Sequence, residues 1–87
     1  MTGTGGTTGP DGDVVDARGL RCPLPVVRLA AHAVGLPSGS EVTVWATDPA
    51  ARLDVPAWAR MRGHAVVREE KHEADGGPWW ALTVRLG

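Results

Sequence analysis

Phenylalanine and tyrosine are absent from the sequence, which leaves four tryptophans as its whole stock of Phe, Trp and Tyr. Cysteine occurs once, so this chain alone can build neither an internal disulfide nor a cysteine-rich zinc site. The same count excludes an intramolecular thiol–disulfide oxidoreductase, which needs a second, resolving thiol. An excess of charge of either sign is also missing, with nine basic residues against ten acidic ones and a formal net charge of −1. That balance removes any global electrostatic case for nucleic acid, and the missing Phe and Tyr count against a sheet that stacks single-stranded RNA. No apolar run reaches the roughly 18 residues of a membrane span, and the N-terminus has neither the basic region nor the apolar stretch of a secretory signal. The protein is therefore expected to stay in the cytosol, with no membrane partner.

What is present divides unevenly along the chain. The first twelve residues, MTGTGGTTGPDG, are Gly, Thr, Pro and Asp after Met1 and offer no side chain for a core. Residues 1–12 are read as a disordered tail, because such a segment cannot bury enough apolar surface to offset its ordering entropy. Residues 13–87 are read as one domain, near the size at which a single core becomes marginal. A hydrophobic content of 43% with 22% charged residues is ordinary for a globular fold.

Val14 and Val15 open a short first strand that ends near Asp16 and Ala17. Pro23 and Pro25 then mark a helix start, since proline's missing N–H has no intrahelical partner in the first turn. Val26, Val27, Ala30, Ala31 and Val34 recur at helical spacing as an apolar stripe, and Gly35 stops the helix. In Glu41–Ala46, the inward residues Val42, Val44 and Ala46 alternate with Glu41, Thr43 and Trp45, which predicts a second strand. Asp48 is placed to cap a helical turn with Pro49 at its first position. Pro56 should interrupt a continuous helix, so a short turn over Ala50 to Leu53 is expected. A helix capped by Asp54 should follow, with Trp58 and Met61 facing inward and Gly63 ending it. A third strand begins at His64 and trails into the charged run Glu69 to Glu73, to which no function is given. The turn Asp75-Gly76-Gly77-Pro78 leads to a last strand with Trp80, Leu82, Val84 and Leu86 on one side. The order β-α-β-α-β-β, with right-handed crossovers, predicts an α/β (α+β) two-layer sandwich: a mixed four-stranded sheet with both helices on one face.

A lone cysteine with no context is ordinarily a buried small hydrophobe, but the neighbours of Cys22 favour a reactive thiol. Cys22 occupies the expected N-cap of the first helix, where unpaired N–H groups and the helix dipole favour a thiolate. Arg18 and Arg21 add positive potential, and Pro23 and Pro25 fix the helix entrance, so a depressed thiol pKa is expected. A persulfide anion would profit from the same field, with the N–H groups of Leu24 and Val26 available to it. Passing sulfur between proteins needs only one thiol per carrier.

Over residues 14–87 the sequence resembles the TusA family of sulfur carriers, related to SirA. The resemblance rests on Asp16-x-Arg18-Gly19-Leu20-x-Cys22-Pro23-x-Pro25, on Thr47-Asp48-Pro49 followed by Asp54-Val55-Pro56, and on Gly63-His64. It implies a sheet in the order 1-2-4-3. It also implies that Cys22 accepts sulfane sulfur as a persulfide from a cysteine desulfurase or a rhodanese and relays it to an acceptor protein. Some members serve tRNA thiolation, others sulfur oxidation or molybdenum cofactor synthesis. The glycine-rich N-terminal extension, the apolar Leu24 between the prolines, and the pair Trp79 and Trp80 depart from the best-known carriers.

The site so expected consists of Cys22 as the reacting group with Arg18, Arg21, Pro23, Pro25 and Asp48 around it, without cofactor or metal, in a monomer. Each has a plainer alternative. Asp48 as a helix cap outweighs Asp48 as a residue orienting a partner, and Arg18 is equally a solvated arginine. His64 is read as structural, and His32 and His72 lack ligand spacing with each other or with Cys22. Trp45 and Trp79, on neighbouring strands, form a protein-docking patch if they face outward, or else pack against the sheet edge. The competing function is a non-catalytic protein-binding or regulatory module of the same fold.

Overall fold

The computed structural model describes residues 13–87, so the expected N-terminal tail lies outside the described residues. The elements follow the expected order: β1 (Asp13–Asp16), α1 (Leu24–Ala33), β2 (Glu41–Ala46), α2 (Ala51–Met61), β3 (Ala65–His72) and β4 (Trp79–Arg85). The four strands form one sheet in the order β1-β2-β4-β3. β1 runs parallel to β2, with Asp16 beside Trp45, and β4 is antiparallel to both β2 and β3, with Ala46 opposite Trp80 and Lys71 opposite Trp80 on its other side.

The period-two pattern of the central strands places Val42, Val44, Ala46, Leu82 and Val84 against the helices, each fully buried. Leu29, Ala51, Val55 and Ala59 meet them from the helical layer, and Val15 packs against this cluster from β1. Both helices therefore cover one face. On the other face Trp45, Trp79, Thr43 and Thr83 line a shallow depression of about 390 Å³, where the two threonine hydroxyls share a 2.7 Å hydrogen bond.

Three local expectations need correction. The buried stripe of α1 is Pro25 and Leu29, with Val26 and Ala33 at its margin, while Val27 and Val34 face solvent, Val34 being 81% exposed. The helix is rotated relative to the expected stripe because Pro25 belongs to its buried face, so the i, i+4, i+8 row from Pro25 points inward. Pro56 does not interrupt the second helix, which runs unbroken from Ala51 to Met61. Its missing N–H would have met the carbonyl of Arg52, an exposed residue whose carbonyl water can serve. Met61 is 79% exposed and Trp58 only partly buried, because Val55 and Ala59 occupy the inward positions.

Candidate functional site

The parallel pairing of β1 and β2 brings the β1–α1 and β2–α2 loops together at one edge of the sheet. Gly19 makes the turn possible: its φ of +86° lies where side-chain-bearing residues are strained, and its N–H donates to Thr47 Oγ1 at 2.9 Å. Three residues on, the N–H of Cys22 donates to Asp48 Oδ2 at 2.9 Å, while the N–H of Ala50 donates to Asp48 Oδ1 at 3.0 Å. One carboxylate thus ties the cysteine loop to the opening turn of α2. Cys22 is half-buried, with Leu20 beside it against the core.

The electrostatics reverse the expected sign. Burial first, then the carboxylate of Asp54 and the negative charge of Asp48, together push the Cys22 thiol from 9.0 up to about 11. The expected N-cap position is off by one residue: Pro23 caps α1 and Leu24 begins it. The Leu24 N–H is already given to the Arg21 carbonyl at 2.8 Å and so is not free for an anion at sulfur. Asp48, in contrast, is held below the usual carboxylate range by the N–H of Cys22 and then that of Ala50, with the charge of Arg21 adding to them.

The other expected site residues are distributed around this centre. Arg18 turns away from the thiol: its guanidinium binds Asp16 at 2.8 Å and lies 4.7 Å and 4.9 Å from the ring centres of Trp45 and Trp79. Trp45 and Trp79 are 5.2 Å apart, and His72 stacks on Trp79 at 4.2 Å, so an aromatic cluster lies on the helix-free face of the cysteine edge. Arg21 is exposed and borders, with Gly19, Thr47, Asp48 and Pro49, an open depression of about 480 Å³. Pro23 is exposed, and Pro25 lies fully buried on the inner face of α1, where it packs into the core rather than facing the thiol's surroundings from solvent. Asp48 caps the turn that begins at Pro49, as expected, through the Ala50 N–H, and its other oxygen clamps the cysteine loop; the N-cap of α2 itself is Ala50, with no side-chain hydrogen bond. His64 accepts the Gly87 N–H at 2.9 Å and packs on Trp58, and His32 meets Asp13 at 2.6 Å. Neither takes part at Cys22. Among the described residues, no group of His, Cys, Asp and Glu is arranged to hold a metal ion.

Asp54 is the residue that sequence reasoning missed. Treated as a helix cap, it instead lies in the first turn of α2 and faces the thiol. Its place in the Asp54-Val55-Pro56 element was the available signal, but only the folding of α2 beside the cysteine loop gives that element its meaning.

The family model described as "Sulfurtransferase TusA" matches residues 13–86. A sulfur carrier protein TusA of Pseudomonas putida is 38% identical over 67 residues, covering 77% of this chain and 82% of the relative. A protein of Bacillus subtilis described as putative sulfur carrier protein YrkI is 40% identical over 67 residues, covering 77% of this chain and 88% of its own length. Among solved structures, a SirA-like protein of Desulfitobacterium hafniense superimposes with a TM-score of 0.66 at 29% identity, over 85% of this chain and 96% of that one. On the match of the family model and the identity to these relatives, the chain belongs to the TusA family.

Proposed function

We propose that this protein carries sulfur as a persulfide on Cys22, accepting it from a cysteine desulfurase or rhodanese and delivering it to an acceptor protein. The observation that carries the reading is that the only thiol stands half-buried at a loop edge, held there by Asp48 through a backbone hydrogen bond 26 residues distant in sequence. A carrier must offer one sulfur to two different proteins in turn, and a rigid loop at the rim of a small domain suits that demand. Exposed apolar side chains in the opening turns of α1 and α2, the helices that follow the two loops, support the same reading, with Leu24 47%, Val27 54% and Leu53 76% exposed. Such residues around a reacting centre provide area for a partner to cover. Relatives bearing the name sulfur carrier protein strengthen the case.

The acceptor belongs to tRNA thiolation, cofactor synthesis or sulfur metabolism, in the cytosol where thiols stay reduced. Among the described residues no helix is long and apolar enough to cross a membrane. One observation favours the competing reading, a binding module without chemistry: the thiol is held protonated, at about 11, and is not a ready nucleophile at neutral pH. Transfer of label from radiolabelled cysteine by a desulfurase separates the two. The wild type should carry label that a reductant releases and Cys22→Ser should carry none, whereas equal labelling of both would end the carrier reading.

A further inference from the structure

We propose that Thr47 is a positioning residue for sulfur transfer: its hydroxyl, by accepting the Gly19 N–H, fixes the turn that leads into Cys22. This rests on the persulfide-carrier reading above and adds to it what holds the sulfur in one direction.

The turn is Ala17-Arg18-Gly19-Leu20, closed by a 3.2 Å bond from the Leu20 N–H to the Ala17 carbonyl. Gly19, its third residue, has a φ of +86°, and among the described residues only glycines have a positive φ. Arg18 therefore has a negative φ, and the turn is type II. Glycine takes either sign of φ, so a type I turn, made by flipping the Arg18–Gly19 peptide, is open to the same four residues. Contact with Gly19 does not choose between them, because a Cβ built on it would meet no atom within 4 Å. What distinguishes the two forms is the direction of the Gly19 N–H, and here it points at Thr47 Oγ1, 2.9 Å away. Water at this exposed place bonds an N–H in either orientation, so a fixed hydroxyl contributes direction more than energy.

A second bond gives the first its effect. The Cys22 N–H donates to Asp48 Oδ2 at 2.9 Å, so two adjacent residues of the β2–α2 loop grip the cysteine loop at two points three residues apart. One attachment lets a segment pivot, whereas two fix its orientation. The same two stretches of chain wall the open depression of about 480 Å³ that Arg21 borders, so their relative placement also shapes the surface there.

The chemistry is sensitive to that orientation. On loading, the Cys22 sulfur bonds to the outer sulfur of the donor's persulfide as the donor's S–S bond breaks, and the Cys22 proton passes to the departing donor thiolate. One thiol and one persulfide become another such pair, with no net oxidation or reduction. Attack at sulfur needs the three sulfur atoms nearly in line, so a cysteine loop that pivots loses rate even with its partner bound. A small electrophile, free to approach from any side, does not sense the difference.

Thr47→Val keeps the shape and charge of this exposed side chain and removes the acceptor, and Thr47→Ser restores it. Sulfur loading is measured across desulfurase concentrations. Alkylation by iodoacetamide is the small-reagent control, and amide hydrogen exchange at Gly19 reports on the bond itself. Thr47→Val should lower the maximal loading rate about tenfold and speed Gly19 exchange severalfold, with the half-saturating desulfurase concentration and the alkylation rate within about twofold of wild type. Thr47→Ser should load at close to the wild-type rate. Far-UV circular dichroism establishes that the variants are folded, and Thr47→Ala, read in the same way, replaces Thr47→Val if that variant is not. Loading by the hydroxyl-free variant at the wild-type maximal rate would overturn the proposal. So would a loss confined to the half-saturating concentration, which marks a partner contact, or a Thr47→Ser as slow as Thr47→Val, which marks a need for the methyl group. Each of these leaves the carrier reading standing. A wild type that takes up no sulfur at all would remove both.

Discussion

Burial and two neighbouring carboxylates make the pH dependence of Cys22 specific. A thiol at about 11 in the folded chain, against 9.0 ordinarily, binds its proton more tightly folded than unfolded. Its contribution to stability is therefore fully present below pH 9 and lost as pH rises through the folded value. Thermal melts should show the wild type losing stability between about pH 9 and 11, with Cys22→Ser lacking that component of the slope. Alkylation of the wild type against pH should have its midpoint well above the ordinary thiol value of 9.0. A midpoint below it would restore the activating field first expected from the sequence. That expectation failed for a readable reason. Pro23 and Pro25 do announce a helix start, but the sequence does not say that Pro23 rather than Cys22 caps it, nor that a carboxylate 32 positions later folds against the sulfur. Local pattern carries local structure, and the sign of a pKa shift depends on what tertiary folding brings alongside.

At the scale of elements, alternation was legible where the strands are central and was ambiguous where the helices are short. Val42, Val44 and Ala46, and Leu82 and Val84 across from them, are buried as their period-two spacing predicts. In α1 the apolar residues are too many to mark one face: Leu24, Val26, Val27, Leu29, Ala30 and Ala31 sit on nearly every side of a ten-residue helix. Packing alone picks Leu29. Leu29→Ala should therefore cost about 2–5 kcal/mol, the range for emptying a filled core site, whereas Val34→Ala should stay within about 0.5 kcal/mol. Urea unfolding of the two variants checks this, and equal costs would mean that the helix is rotated from the orientation described. In α2, Pro56 does not break the helix, because a helix held by Val55 and Ala59 in the core tolerates one missing hydrogen bond on its flank.

For the molecule as a whole, the core closes among residues from Ala17 to Leu86, with Leu29, Val55 and the two central strands at its middle. Deleting residues 2–12, which bring no apolar side chain, should leave the melting temperature nearly unchanged, and a large drop would show that this segment contributes to the fold. The two-layer topology follows from the element order alone, because right-handed crossovers put both helices on one side of the sheet. The same topology carries β1 and β2 in parallel to one edge, and that is where Cys22, Asp48 and Asp54 meet. Fold and site thus share a cause. The carrier role requires sulfur to reside at Cys22, and one measurement tests this most directly: the intact mass of the wild-type protein after incubation with a cysteine desulfurase and cysteine in the absence of reductant. The mass should rise by that of one sulfur atom, fragment spectra should locate the gain at Cys22, and a thiol reductant should remove it. An unchanged mass, or a gain located on any other residue, would contradict the account.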